Sequence, residues 1–95
     1  MREKEIEQKL VTEVKRCGGI CPKLISPSFN GVPDRLVLFP QGKMAFVELK
    51  APNKKMRALQ IKRKKQLETL GFKVYCVDRV EMIDETIKEI GGDAK

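Results

Sequence analysis

Two apolar runs on either side of the short sequence Pro-Gln-Gly constrain the fold of this chain most strongly. Residues 35–39 (RLVLF) and 44–50 (MAFVELK) are rich in the branched and aromatic residues that are typical of strands. A three-residue loop would join them, with Pro40 and Gln41 in a type I turn and Gly42 in the left-handed conformation. The sequence therefore predicts a β-hairpin.

The register implied by this loop brings charged residues of the two strands together. When Phe39 pairs with Lys43, Asp34 falls opposite Glu48. Opposed residues share one face of a sheet, with Cβ atoms about 5 Å apart. Lys50 follows Glu48 by two residues and lies on that face as well. A two-residue loop would place Asp34 on the other face, so the convergence of two carboxylates and an ammonium depends on the turn.

Such a group of charges is suited to phosphodiester hydrolysis. Two close carboxylates repel each other unless a cation lies between them. A hard divalent ion, Mg²⁺ or Mn²⁺, takes oxygen ligands and keeps positions open for water and phosphate. Lys50 would position or activate the attacking water and offset phosphate charge. The alternative is a solvent-exposed sheet end with a Glu48–Lys50 pair of no consequence, since Glu-x-Lys is a common sequence.

Periodicity and turn residues define the other elements of a single domain, residues 1–95. Pro22 weakens the first predicted strand, because proline is expected only in an edge strand or at the start of a strand. The predicted order is α-β-β-β-α-β-α. Its elements are a helix over 3–16, a strand over 20–25, the two hairpin strands, a helix over 56–70, a strand over 73–77 and a helix over 80–90.

Composition excludes several kinds of function. The chain has no histidine, so a His-based triad or general base is excluded. Its three cysteines cannot supply the four ligands of a structural zinc site, and we expect them to be reduced and packed as small hydrophobic residues. No apolar run approaches the roughly 20 residues that span a bilayer. The polar N-terminus does not resemble a secretory signal, so a cytoplasmic location is expected.

The net charge of +7 is concentrated in one stretch. Residues 50–65 contain eight Lys and Arg and no acidic residue, which favours a polyanionic partner. Nucleic acid is favoured over a membrane surface, because no aromatic or leucine-rich stripe flanks the run. The residues expected to include the contacts with DNA phosphates are Lys54, Lys55, Arg57, Lys62, Arg63 and Lys64.

The spacing of the charged residues matches a known group of nucleases. Pro33-Asp34 followed by Glu48-Leu49-Lys50 resembles the PD-(D/E)XK superfamily, whose restriction-endonuclease-like core is also α-β-β-β-α-β. More narrowly, the chain resembles the VRR-NUC (virus-type replication-repair nuclease) family. The supporting features are "NGVPDRLVL", "AFVELKAP" and Gln60, eleven residues before "GFKVYCV". The resemblance covers nearly the whole chain, and the family name suggests a phage or bacterial setting.

This resemblance implies metal-dependent endonuclease activity on DNA. It assigns metal binding to Asp34 and Glu48, a further ligand to the backbone carbonyl of Leu49, and a catalytic role to Lys50. It also places Gln60, from the second helix, near the active site, although a solvated helix residue is an equal alternative.

The family also places a glutamate of the first helix near the metal. Glu7 fits best, because its helical angle falls inside the apolar stripe of Ile6, Leu10 and Val14. Glu3, one turn earlier, is the second choice, and a plain surface role for Glu7 stays open.

Single-domain members of the family resemble Holliday-junction resolvases, which are small basic homodimers. A two-fold dimer supplies the two matching sites that symmetric cuts require. The predicted function is therefore a homodimeric, structure-selective endonuclease acting on branched DNA, with junctions preferred to flaps. The alternatives are a flap or single-strand nuclease, a non-catalytic DNA-binding module and an RNA-binding basic protein. The binding modules leave the acidic pair unexplained.

Overall fold

The computed structural model of the chain describes residues 2–92. A three-stranded sheet with three helices confirms the predicted α/β fold class. No helix in the described range is long and apolar enough to cross a bilayer. The elements are α1 (Glu3–Arg16), β1 (Arg35–Leu38), β2 (Met44–Leu49), α2 (Ala58–Thr69), β3 (Val74–Val77) and α3 (Ile83–Ile90), with short 3-10 turns at Pro40–Gly42 and Val80–Met82.

The central strand is β2, which pairs with β1 on one side and β3 on the other. The β1–β2 pair is antiparallel and the β2–β3 pair is parallel. Parallel neighbours need a crossover connection, and α2 supplies it. The loop that follows β2 and the first turn of α2 therefore lie near the carboxyl end of the central strand.

The register of the hairpin is the predicted one. Phe39 N–H donates to the Lys43 carbonyl at 2.8 Å, and the pairing of β1 with β2 continues in the same register. Extended by one residue beyond the last ladder pair, this register sets Asp34 opposite Glu48. The turn itself differs from the predicted type I turn.

In that turn two residues have positive φ. Gly42 is left-handed as expected (φ 75°), but Gln41 is left-handed too (φ 69°). A type I turn has negative φ at both central residues, so the assignment of Pro40 and Gln41 to one was wrong. The three-residue length, which fixes the register, is retained.

The predicted first strand over residues 20–25 is not a strand but two isolated bridges to β1, at Ile20 and Lys23. The Pro22 carbonyl accepts a hydrogen bond from Leu36 N–H at 3.0 Å, but proline has no N–H to return one. The ladder is therefore incomplete. The segment still runs antiparallel along the outer edge of β1, which is the position that proline predicts.

Alternation along β2 separates two layers of the protein. Ala45, Val47 and Leu49 are buried on the face covered by α1 and α3. Phe46 and Glu48 point to the opposite face, where α2 lies. The charge at Glu48 is thus on the α2 side of the sheet. The main core consists of Ile6, Leu10, Val14, Cys17, Cys21, Val37, Phe39, Ala45, Val47, Leu49, Val77, Ile83, Ile87 and Ile90.

The cysteines are unpaired, and two of them, Cys17 and Cys21, are buried in that core. Burial raises the pKa of the Cys21 thiol to about 11. At neutral pH it is therefore a protonated, weakly polar group that packs as a small apolar side chain.

Gly31 offers a test of how the loop before β1 packs on α2. Its φ is 85°, and a Cβ there would lie 2.7 Å from Leu59 Cγ. The left-handed conformation costs an L-residue about 1–2 kcal/mol, and the overlap adds to that cost. We expect Gly31→Ala to lower the free energy of unfolding, measured in urea, by more than 2 kcal/mol, about this conformational cost plus the overlap.

Gly42→Ala is the matched control, because Gly42 has a similar φ of 75° but no atom within 4 Å of the added Cβ. It should show only the conformational cost. Equal destabilisation of the two variants would contradict close packing of the loop against Leu59.

Candidate active site

A polar cleft of about 400 Å³ lies at the carboxyl end of β2. A larger groove of about 630 Å³ on the outer face of α2 has no carboxylate in its lining and is therefore the weaker candidate for catalysis. The polar cleft draws residues from α1, the hairpin, the loop after β2 and α2. It is lined by Glu3, Asp34, Glu48, Leu49, Lys50, Lys54, Lys55, Arg57 and Gln60.

Asp34 is held in place by the backbone of the neighbouring strand. The β1–β2 ladder ends at the pair Arg35–Val47, so no residue of β1 lies opposite Leu49. The Asp34 side chain takes over the missing acceptor, and its Oδ2 receives the Leu49 N–H at 2.9 Å. This bond fixes the carboxylate at the end of the sheet, beside the backbone of Leu49.

Glu48 is almost fully buried, at 1% exposure. Its Oε2 accepts a hydrogen bond from Gln60 Nε2 at 2.6 Å and lies 3.2 Å from Lys50 Nζ. Its other oxygen, Oε1, is buried and has no hydrogen-bond partner. A buried polar atom without a partner is uncommon and costly, so one ligand position on this carboxylate is open.

Gln60 joins α2 to the sheet. It is the one buried residue of the helix, and its amide bridges two parts of the site. Nε2 donates to Glu48, while Oε1 accepts the Arg57 N–H at 2.8 Å and so caps the first turn of α2. The structure thus brings Gln60 into the cleft, and the solvated position considered from the sequence is not the one observed.

The local electrostatics favour a cation at Glu48. Burial raises the pKa of the Glu48 carboxyl above its ordinary value of 4.5, and the nearby charge of Asp34 raises this pKa further. The hydrogen bond and the charge of Lys50 act in the opposite direction without cancelling the rise. Lys50 therefore compensates the buried carboxylate of Glu48 only in part.

The residues present fit a hard divalent ion. Between residues 2 and 92, no three His, Cys, Asp or Glu side chains lie close enough together to hold a metal by themselves. An ion here would instead take two carboxylates, a backbone carbonyl and water or phosphate oxygens, a mixed set that Mg²⁺ accepts. Asp34, Glu48 and Leu49, whose carbonyl is the predicted third ligand, all line the cleft. The unpartnered Oε1 of Glu48 is the strongest indication of a metal site.

Glu7, the first-choice carboxylate of α1, does not line the cleft. Arg35 follows Asp34 and so points to the opposite face of the sheet, toward α1. Its guanidinium contacts Glu7 Oε2 at 2.9 and 3.1 Å. Glu3, one turn earlier, lines the cleft instead. Arg35 is the sequence feature that could have predicted this. Because it is adjacent to Asp34 along the strand, its side chain lies on the opposite face of the sheet, where it can pair with Glu7.

The basic residues divide into two groups. Three of the six expected at DNA line the cleft: Lys54, Lys55 and Arg57. The other three are on different faces of α2. Lys62 lines the outer groove, Lys64 pairs with Glu68 at 2.7 Å, and Arg63 donates to the Asn30 carbonyl at 2.6 Å.

The raised pKa of Glu48 predicts a specific pH dependence of stability. A carboxyl that binds its proton more tightly in the folded state contributes stability below pH 4.5 that is lost as the pH rises through the raised pKa. Glu48→Gln is neutral at all pH values and escapes this loss. In metal-free buffer, we expect its free energy of unfolding relative to wild type to increase from pH 4.5 toward neutrality, by about 1.4 kcal/mol per unit of pKa elevation.

The measurement is urea denaturation over that pH range in the presence of a chelator. Glu68→Gln is the control, because it removes an exposed carboxylate that is paired with Lys64 and should show no such gain. Parallel profiles of unfolding free energy against pH for wild type and Glu48→Gln would contradict a raised pKa of the buried Glu48 carboxyl.

Comparisons with known proteins agree with this geometry. No protein-family model matches the chain. It is 45% identical over 82 residues to "Putative nuclease p44" of Acyrthosiphon pisum secondary endosymbiont phage 1, a match that covers 86% of this chain and 88% of that protein. A solved structure described as a VRR_NUC domain has a TM-score of 0.85 at 26% identity, with 93% of this chain and 97% of that chain covered. The chain belongs to the VRR-NUC family of nucleases.

Proposed function

We propose that this nuclease is a metal-dependent, structure-selective DNA endonuclease that hydrolyses phosphodiester bonds in branched DNA, as a homodimer of the Holliday-junction resolvase type. The observation that carries the metal dependence is the buried, unpartnered Oε1 of Glu48, beside a second carboxylate at Asp34. Family membership supports the nuclease activity. The preference for branched DNA and the dimer are carried over from the family resemblance.

The proposed metal donors are Asp34, Glu48 and the Leu49 carbonyl, with Glu3 in place of Glu7 as the carboxylate from α1. When bound, Mg²⁺ or Mn²⁺ would polarise the phosphate and lower the pKa of a coordinated water. The hydrogen bond from Gln60 engages Oε2 of Glu48, which leaves Oε1 for the ion. Gln60 is therefore a positioning residue rather than a direct participant.

We assign to Lys50 the most direct role in the reaction. Its side chain is 15% exposed, and its ammonium contacts Glu48 Oε2 while lining the cleft. We assign it two tasks, orienting the attacking water and offsetting the charge that develops on the phosphate. Neither Glu48 nor Gln60 can supply a positive charge at that position.

The rim of the cleft provides the grip on DNA. Lys54 and Lys55 lie in the loop after β2, and Arg57 is the N-cap residue that precedes α2. Phosphate contacts by Lys and Arg give sequence-independent affinity, which suits an enzyme that selects shape. Helix α2 has no acidic residue in its first turn, so its N-terminal dipole adds to the positive field.

The dimer finds support in exposed apolar side chains on α2. Leu70 is 73% exposed and Ile61 is 42% exposed, and both line the groove of about 630 Å³ on the outer face of this helix. A second copy of the chain would cover them. Two sites related by a two-fold axis then match the symmetry of a four-way junction.

The direct test is cleavage of a labelled four-way junction with Mg²⁺ or Mn²⁺. Wild type should make paired, symmetric cuts and leave a linear duplex of the same sequence largely intact. Glu48→Ala should lose at least about 10²-fold in rate, because substitutions even behind the metal ligands cost about 10–100-fold. Tight junction binding without cleavage in either metal would contradict the proposal.

Conservative variants distinguish the two candidate glutamates of α1, Glu3 and Glu7. Glu3→Gln should slow cleavage, whereas Glu7→Gln keeps a hydrogen-bond acceptor for Arg35 and should cut at the wild-type rate. Light scattering of the same preparations should give twice the mass of the chain. A monomer that still makes paired cuts would contradict the dimer.

A further inference from the structure

One aromatic side chain stands outside the hydrophobic core, on the loop that leads to Asp34. Phe29 is 39% exposed, and the guanidinium carbon of Arg63 lies 4.0 Å from its ring centroid. The other exposed phenylalanine, Phe72, packs edge-to-face on Phe46 with centroids 5.8 Å apart. The ring of Phe29 therefore has a cation stacked on it and still retains solvent-exposed surface.

This pair is held in a fixed orientation. Arg63 Nε donates to the Asn30 carbonyl at 2.6 Å, and Phe29 N–H donates to the Ser26 carbonyl at 3.2 Å. Gly31 packs so closely on α2 that a methyl group would overlap Leu59. The loop thus presents the ring on a well-anchored backbone, and little entropy would be lost when a ligand binds to it.

Neither Phe29 nor Arg63 lines the cleft, but each is close along the chain to a residue that does, Asp34 or Gln60. Arg63 follows Gln60 by three residues, which places their Cβ atoms about 5–6 Å apart on neighbouring parts of the helix surface. Gln60 contacts Glu48 directly. The loop itself continues from Phe29 to Asp34. A nucleic acid strand with a phosphate in the cleft would therefore pass the ring within a short distance of that phosphate.

We propose that Phe29 and Arg63 form a stacking platform for a base exposed at the branch point of the DNA substrate. The inference rests on the proposed function and adds the element that distinguishes branched from linear DNA. Aromatic rings and guanidinium planes both stack on bases. A continuous duplex keeps its base faces covered by neighbouring pairs, whereas a branch point interrupts that stacking. The positive charge of Arg63 suits the strand that carries the base.

The test is a binding cycle with two junctions, one intact and one with abasic sites at the branch point. All proteins carry Glu48→Gln, so binding is measured without cleavage. Phe29→Leu should weaken binding of the intact junction about tenfold, within the range measured for base–aromatic stacking. It should leave binding of the abasic junction and of a linear duplex unchanged. Phe29→Trp should retain preferential binding of the intact junction.

Phe72→Leu is the matched control, since Phe72 is similarly exposed, at 42%, but packs edge-to-face on Phe46 and does not belong to the loop that leads to Asp34. A purely structural role of Phe29 in anchoring the loop would weaken binding of both junctions equally, and that result would overturn the inference. So would unchanged binding, or no preference for branched DNA. If Phe29→Leu weakens binding of the intact junction alone but wild type cleaves no DNA, the proposed nuclease mechanism is wrong and the stacking role of Phe29 and Arg63 is supported.

Discussion

The burial of the Glu48 carboxylate is the constraint on which the rest of this site depends. The strand that carries it has a full apolar core on one face and only α2 on the other, where Gln60 is the one buried residue of the helix. The contact between α2 and the sheet is therefore partly polar. It includes the hydrogen bond from Gln60 to Glu48 at 2.6 Å, at a position where helix and sheet usually pack through apolar side chains. Burying an ionised carboxylate is costly unless its charge is compensated. Lys50 and Gln60 contact one oxygen of this carboxylate, Oε2, and the other oxygen has no hydrogen-bond partner.

Helix α2 connects the three activities that we assign to the molecule. Arg57, just before the helix, lines the cleft. Gln60 orients Glu48, and the guanidinium of Arg63 stacks on the ring of Phe29. These residues recur every three positions, so they follow one another around a connected part of the helix surface. A displacement of α2 would change phosphate grip, metal ligation and base stacking together. The outer face of the same helix is the surface on which we propose that a second copy of the chain binds.

Much of the fold could be predicted because local rules determined it. The apolar stripe of α1 is buried as its spacing indicated, and the length of one turn fixed the opposition of Asp34 and Glu48. Pro22 reduced the first strand to bridges because it has no N–H to donate. Two further features depended on contacts between elements that are distant in sequence. Arg35 binds Glu7 on the far face of the sheet. The run of basic residues is the other such feature. Which of its side chains line the cleft depends on the neighbouring elements with which the remaining ones form hydrogen bonds and ion pairs.

The most direct test of this account is a crystal structure with Mn²⁺, read from its anomalous scattering. We predict a single strong peak about 2 Å from Oε1 of Glu48, with the carboxylate of Asp34 also bound to the ion. Soaking with Mn²⁺ should leave the hydrogen bond from Gln60 to Oε2 intact. A protein that cleaves DNA in Mn²⁺ while this position holds no ion, or while the ion binds at Glu7 instead, would contradict the assignment of the metal site.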